Sequence, residues 1–410
     1  MRTRVSVVGV GALAAGAGLA LGMFAAFAGG QAGPTGPAGP SPAGSGLVAG
    51  VATGLPPPTP SALATSAPSP TVALPPSPSP AGRPSPNPGP SLVPAPLTGR
   101  LVSPAIAARH PIAVMVDDHR AARPQSGFSA ASVVWQAPAE GGIARYMLVF
   151  QDTIPGDVGP VRSARSYYIA WAAELRAMYV HSGGSPQSLA TLRAQGDGQL
   201  VYNADEFAWG GSFRRVAFNG APHNLYTTGS QLRALAATRG AADRRITSPW
   251  VFGADAPTAA RPVGGRIEVV YLANTVRYDY DRVSNTYLRS VTGERAQIDR
   301  STRDRVAPKN VVVMLVRFGP LDDGSDKKRL EAHVLGSGPA WVATNGVTVK
   351  GTWRKSSLIG PTRFFDAAGR PIRLSVGQTF IQVLPIGSKV TFAAGKPPPI
   401  DPLPAGLDPR

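Results

Sequence analysis

The sequence predicts an α+β protein, with an α/β-like segment followed by a mostly antiparallel β segment, both behind a long polar leader. Between residues 103 and 258, short strand-like apolar runs alternate with patterns of helical period. Beyond "RPVGG" at 261–265 the pattern turns into nearly pure alternation of apolar and polar residues, the period of half-buried strands. Before residue 99 there is little apolar bulk except one run at the very start.

That run is "VSVVGVGALAAGAGLALGMFAAFA", residues 5–28, uncharged and preceded by Arg2 and Arg4, the pattern of an export signal or a signal anchor. Ala26-Phe27-Ala28 before Gly29 suits cleavage, whereas the length exceeds an ordinary signal core and favours a retained anchor. Residues 29–99 are Pro, Ser, Gly, Ala and Thr in abundance. They bury too little to offset chain ordering and are expected to form a disordered stalk biased to polyproline II. No Asp or Glu occurs among the first hundred residues, and the whole chain carries a formal charge of +17. Outside a membrane the matching polyanions are cell-wall polymers and lipid head groups, so nucleic acid is not expected as a partner. The absence of cysteine excludes disulfides, thiol catalysis, Cys metal sites and an N-terminal lipidated Cys.

Order is expected from about residue 103. "PIAVMVDD" (111–118) reads as a buried strand ending at a loop. "ASVVWQAPA" (131–139) and "ARYMLVFQD" (144–152) flank "EGG" as a hairpin. Residues 164–178 carry apolar positions at helical spacing, with Ile169, Trp171, Ala172 and Leu175 near one stripe. "YVHSGG" (179–184) reads as a strand entering a Gly turn, with helices expected through "SLATLRAQ" and over 228–239. In the β segment "RIEVVYLA", "TVRYDYD", "NTYLRSV", "NVVVMLVRF", "LEAHVLG", "GVTVKGTWRK" and "FIQVLP" are expected strands between turn residues. The domains so defined are 103–258 and 264–395, with a disordered tail over 396–410.

"RPQSG", "EGG", "PVRSAR", "HSGGSP" and "APHNLY", in that order, resemble the N-terminal domain of the YerB-like family. "NTYLRSVTGERAQID" and "VKGTWRKSSLIGPTRFFDAAGRPIRLSVGQTFIQVLP" resemble its C-terminal domain. The resemblance spans about residues 105–395 and implies a membrane-tethered bacterial envelope protein with two domains. Members are often lipoproteins, a feature this cysteine-free chain lacks, and the family brings no reaction with it.

Polar residues gather where strands end: Asp117, Asp118 and His119, then Arg123 with Gln125 and Ser126. Glu140 and Arg145 lie around the hairpin, Arg162 and Arg165 before a helix, His181, Ser182 and Ser185 after a strand, and His223 and Asn224 in "APHNLY". Carboxyl ends of strands are where α/β folds bind ligands, so one crevice is expected. In one reading Arg162 and Arg165 grip a carboxylate or phosphate in forked hydrogen bonds, helped by the amides and hydroxyls of "HSGGSP". In the other they pair with Asp117, Asp152, Asp157 or Glu140 inside the protein. Two guanidiniums at a helix N-terminus oppose its dipole, so some anion is required.

An enzymatic alternative makes Ser182 or Ser185 a nucleophile, His181 or His223 its base and Asp117 or Asp118 the orienting group. "SGGSP" is not the strained elbow of serine hydrolases, and His181 and Ser182 point to opposite faces of a strand. Asp117, His119, His181 and His223 are acceptable ligand types without a short metal-binding spacing, and no metal or cofactor is expected. Asp118 and Glu140 are also available as a glycosidase-type pair, at a separation that spacing does not fix. In "GTWRKSS" the alternation sets Arg354 opposite Trp353 and Lys355, giving a core Trp beside solvated charges, and "DKKRLE" (326–331) reads as a solvated loop. The expected function is a membrane-tethered envelope module that binds a cell-wall polymer or an envelope protein, the alternative being an envelope hydrolase or transferase.

Overall fold

A computed structural model describes residues 91–398. The segment expected as a signal or anchor, most of the expected stalk and most of the expected tail lie outside them. Among the described residues no helix is long and apolar enough to cross a membrane.

The chain forms fourteen strands and three helices that matter here. In order they are β1 (Ile112–Asp117), β2 (Val133–Pro138), β3 (Ala144–Phe150), α1 (Ser166–Ala173), β4 (Met178–His181), α2 (Pro186–Gln195), β5 (Tyr202–Asp205) and α3 (Gly229–Thr238). β6 (Arg266–Val270), β7 (Thr275–Asp281), β8 (Thr286–Val291), β9 (Asn310–Val316) and β10 (Gly336–Thr344) follow. The last are β11 (Val347–Lys355), β12 (Arg363–Asp366), β13 (Thr379–Pro385) and β14 (Val390–Ala393).

Ten strands join one sheet in the order β12-β11-β10-β9-β13-β2-β3-β1-β4-β5. β1, β4 and β5 run parallel, with α1 before β4 and α2 between β4 and β5, so this end is α/β in character. The central seam is also parallel, with β13 between β9 and β2. The segments expected as separate domains therefore share a sheet, and the described residues 91–398 all fall in one compact unit. The sheet-rich α+β composition agrees with the patterning.

β1 is buried at every position because both of its faces are covered. Val114 and Val116 face a core shared with Leu232 and Leu235 of α3 and with Ile267, Val269 and Tyr278 of a four-stranded antiparallel sheet, β8-β7-β6-β14. Ala113 and Met115 face a second core with Trp171 of α1 and Leu192 of α2. β7 alternates as its sequence does, Val276, Tyr278 and Tyr280 inward and Arg277, Asp279 and Asp281 outward. α1 differs from an amphipathic helix, since Tyr167 through Ala173 are all buried. Trp171 stacks on Trp135 with ring centroids 4.7 Å apart. The helix stops short of the expected 178 because Arg176 adopts a left-handed conformation, φ 47°, and Ala177 turns back to Ala172 O.

Three expectations at the edges are corrected. Order begins before residue 99: Val93–Pro94 pairs with Leu101–Val102, Leu97 is fully buried, and Thr98 Oγ1 donates to Asp152 Oδ2 at 2.7 Å. Lys396, expected in the tail, is paired instead, exchanging backbone hydrogen bonds with Val263. Lys355 is not solvated. Trp353 and Lys355 are both buried and only Arg354 faces out, over the Phe365 ring.

Candidate functional site

The parallel strands β1, β4 and β5 end on the same side of the sheet, and the chain after each supplies polar groups. Asp117 is the last residue of β1, Ser182 follows β4, and Glu206 follows β5. The segment 161–164 lies beside the end of β4, where Ser182 N donates to Arg162 O and Ala164 N to Gly183 O. The loop before Leu225–Thr228 brings in His223 and Asn224.

Asp117 is the hub. Its Oδ2 lies 2.7 Å from His223 Nδ1 and 2.8 Å from Arg162 Nε, an ion pair whose Nε is off the line of a hydrogen bond. His119 N donates to Oδ1 at 3.0 Å. Burial raises the Asp117 pKa, but Arg162, the His119 amide, Arg145 and His223 together outweigh it and hold the carboxyl below its ordinary range. The His223 ring stacks on His119 with centroids 4.6 Å apart and planes 10° from parallel. His119 Nδ1 accepts from Ala121 N, which fixes that ring. His223 Nε2 has no hydrogen-bond partner among the described residues.

Next to this pair runs a hydrogen-bonded row. Ser182 Oγ donates to Glu206 Oε2 at 3.0 Å, Arg215 reaches Glu206 Oε1 at 3.4 Å, and Arg215 Nη1 donates to Asn224 Oδ1 at 3.2 Å. Phe207 is 80% exposed, and its ring packs where Gly183, at φ 60°, has no side chain. Arg145 sits across from Asp117 on β3, and its Nε and Nη1 are buried without a partner.

Six of the expected residues are occupied elsewhere. Arg165 is buried and pairs with Glu140, which also faces Arg329 at 3.6 Å. This supplies the anion that the N-terminus of α1 requires. Burial raises the Glu140 pKa, but the hydrogen bond and charge of Arg165 more than reverse it. Asp118 is fully buried in a network between the two halves, receiving Gln136 Nε2 at 2.8 Å, Asn274 Nδ2 at 3.3 Å and Arg123 Nη2 at 3.3 Å. Burial pushes its pKa up. Arg123 spends its remaining reach on Thr292 O. His181 is buried with Nδ1 2.8 Å from Gly183 O and Nε2 2.8 Å from Asn203 Oδ1. Ser185 caps α2, accepting from Ser188 N.

The Ser-His-Asp constellation is therefore not assembled. Among the described residues no hydrogen bond joins Ser182 to His181 or His223, and Asp118 faces the interior. Among the described residues no group of three His, Asp or Glu side chains is placed to hold a metal.

Glu206, Phe207 and Arg215 escape sequence reading because β5, "YNAD", is four residues long and polar, so no periodicity marks it. A strand assigned there would have put Glu206 at a carboxyl end like the others. Arg289 also escapes. It is fully buried, receives no charge partner in direct contact, and donates to Tyr278 Oη at 2.9 Å and Gln136 Oε1 at 2.6 Å.

Fold and site together define a sheet-rich α+β protein with a polar crevice at the carboxyl ends of three parallel strands. Residues 97–242 match the N-terminal domain, and residues 267–381 the C-terminal domain, of the protein of unknown function (DUF3048) family. The chain is 32% identical over 306 residues to "Putative lipoprotein YerB" of Bacillus subtilis (strain 168), covering 73% of this chain and 89% of that one. The crystal structure of YerB from Bacillus subtilis superposes with a TM-score of 0.64 at 28% identity, covering 72% of this chain and 99% of that chain. The chain belongs to this YerB family.

Proposed function

We propose that this is a membrane-tethered extracytoplasmic envelope protein whose crevice binds an acidic saccharide of the cell wall. The lipoprotein name of its relative, the apolar run at 5–28 and the Pro-rich stalk support the location. The observation that carries the ligand class is the exposed Phe207 face beside a carboxylate, a hydroxyl, an amide and guanidiniums. An apolar ring face with hydrogen-bonding groups around it suits a sugar, which presents C–H faces and hydroxyl edges. Arg162 and Arg215, whose side chains are 25% and 56% exposed, present cationic edges to the crevice, which suits an acidic substituent.

Pull-down of the full chain with purified peptidoglycan tests this. Phe207→Ala should release the chain from the polymer at unchanged melting temperature, since exposed substitutions shift stability by only about 0.5 kcal/mol. Retention equal to the parent's overturns the reading. A second reading rests on the 2.7 Å Asp117–His223 contact, which orients an imidazole with a free Nε2 as an acid–base group would be oriented. Mass spectrometry of the same incubation separates the two, because a binding module leaves the polymer intact.

A further inference from the structure

At the opposite pole of the same parallel strands, where β1, β4 and β5 begin, a cleft of about 820 Å³ opens. Four arginines line it: Arg176, Arg244, Arg245 and Arg363. All four are exposed. Arg244 and Arg363 make no side-chain hydrogen bond or ion pair among the described residues. Arg245 spends one nitrogen on Pro94 O, and Arg176 one on Gly198 O.

The carboxylates near the cleft are already engaged. Glu174 lines it, but receives Lys355 Nζ at 2.8 Å and Thr362 N at 3.0 Å. Asp243 receives Arg233 and the His110 amide. The positive charge is thus unopposed, unlike that of Arg162 in the first crevice, which faces Asp117. His110 holds the walls in place, with its ring nitrogens 2.9 Å from Arg176 O and 3.2 Å from Ala242 O. The floor is apolar, with Leu175 and Ile246, and the rim carries Ile359, which is 57% exposed.

We infer that this cleft binds a phosphate group carried on an apolar body, a site separate from the saccharide crevice and independent of it. Four guanidiniums exceed what one carboxylate can use, whereas a phosphate offers at least three acceptor oxygens and up to two charges. The volume is that of a small-molecule site, and a bare ion would leave the apolar floor uncovered.

Calorimetric titration of the full chain with two probes tests the inference: inorganic phosphate, and a short-chain phosphatidic acid kept below its micelle concentration. The phosphatidic acid should bind more tightly than phosphate, and its affinity should fall as salt rises. The Arg244→Gln/Arg363→Gln double variant should lose at least tenfold in affinity at unchanged melting temperature, both side chains being exposed. Equal affinity for the two probes keeps the phosphate site and removes the apolar body. Parent protein that binds neither probe at millimolar concentration, or a double variant that binds as the parent does, overturns the proposal. Peptidoglycan retention of the double variant, read alongside, reports on the first crevice alone.

Discussion

Asp117 is ionised despite burial because four neighbours favour its charged form, and this sets a pH dependence. A carboxyl whose folded pKa lies below its unfolded value, 3.8 for Asp, stabilises the fold fully above that value and loses the contribution as pH falls through the folded one. Acid unfolding of the parent should therefore steepen below about pH 4, and Asp117→Asn should abolish that part of the slope. The variant should also cost about 3 kcal/mol at neutral pH, since Arg162 is left without its partner. A parallel acid profile in parent and variant would exclude the hub role. A different test applies to the pair Lys355 and Glu174, whose side chains are 0% and 4% exposed. Lys355→Met strands a buried carboxylate and should cost about 3–5 kcal/mol. Adding Glu174→Leu should recover much of that loss in denaturant titration, showing the penalty to be an orphaned charge. Alternation correctly turned Arg354 away from Trp353 and Lys355. It could not show that Lys355 has a carboxylate waiting 181 positions earlier in sequence.

At the scale of elements, α2 shows that the serine ending "HSGGS" is a helix cap rather than a nucleophile. Ser185 has the extended backbone of an N-cap, φ −68° and ψ 151°, and Pro186 follows at the first helical position. Ser185→Ala should destabilise by about 0.5–2 kcal/mol in thermal melts while peptidoglycan retention stays at the parent's level. Lost retention at full stability would instead return Ser185 to the site. Long strands with strong patterning, such as β7 and β9, were legible because each buries one or both faces over seven residues. β5 and β12 were not, being four residues each, too short for alternation to stand out. The site suffered accordingly. Asp117, Arg162, Ser182, His223 and Asn224 stand at the expected crevice, while Glu206, Phe207 and Arg215 follow the strand that patterning hides.

For the whole molecule, the decisive contact is the seam where β13 lies parallel to both β9 and β2. Beneath it, Arg289 from the C-terminal half is enclosed by Gln136 and Tyr146 from the N-terminal half. A sheet and a polar network shared in this way couple the halves. Calorimetry of the full chain should show one heat-absorption peak for residues 91–398, with calorimetric and van't Hoff enthalpies equal. Arg289→Met should move that peak without splitting it. Two resolved peaks would mean that the halves fold apart, as the change of pattern at 261–265 led one to expect. That change is real, but it marks the start of a second sheet rather than the end of the first.

The seam also imposes an order in time. A ribosome delivers β2 246 residues before β13, counting from Val133 to Thr379. Until then β2 keeps an unpaired flank, open to any other extended chain that comes near. Only β13, near the end of the described chain, can close it, so a translation product that contains β2 but stops before Thr379 carries a sticky margin that the finished protein never displays.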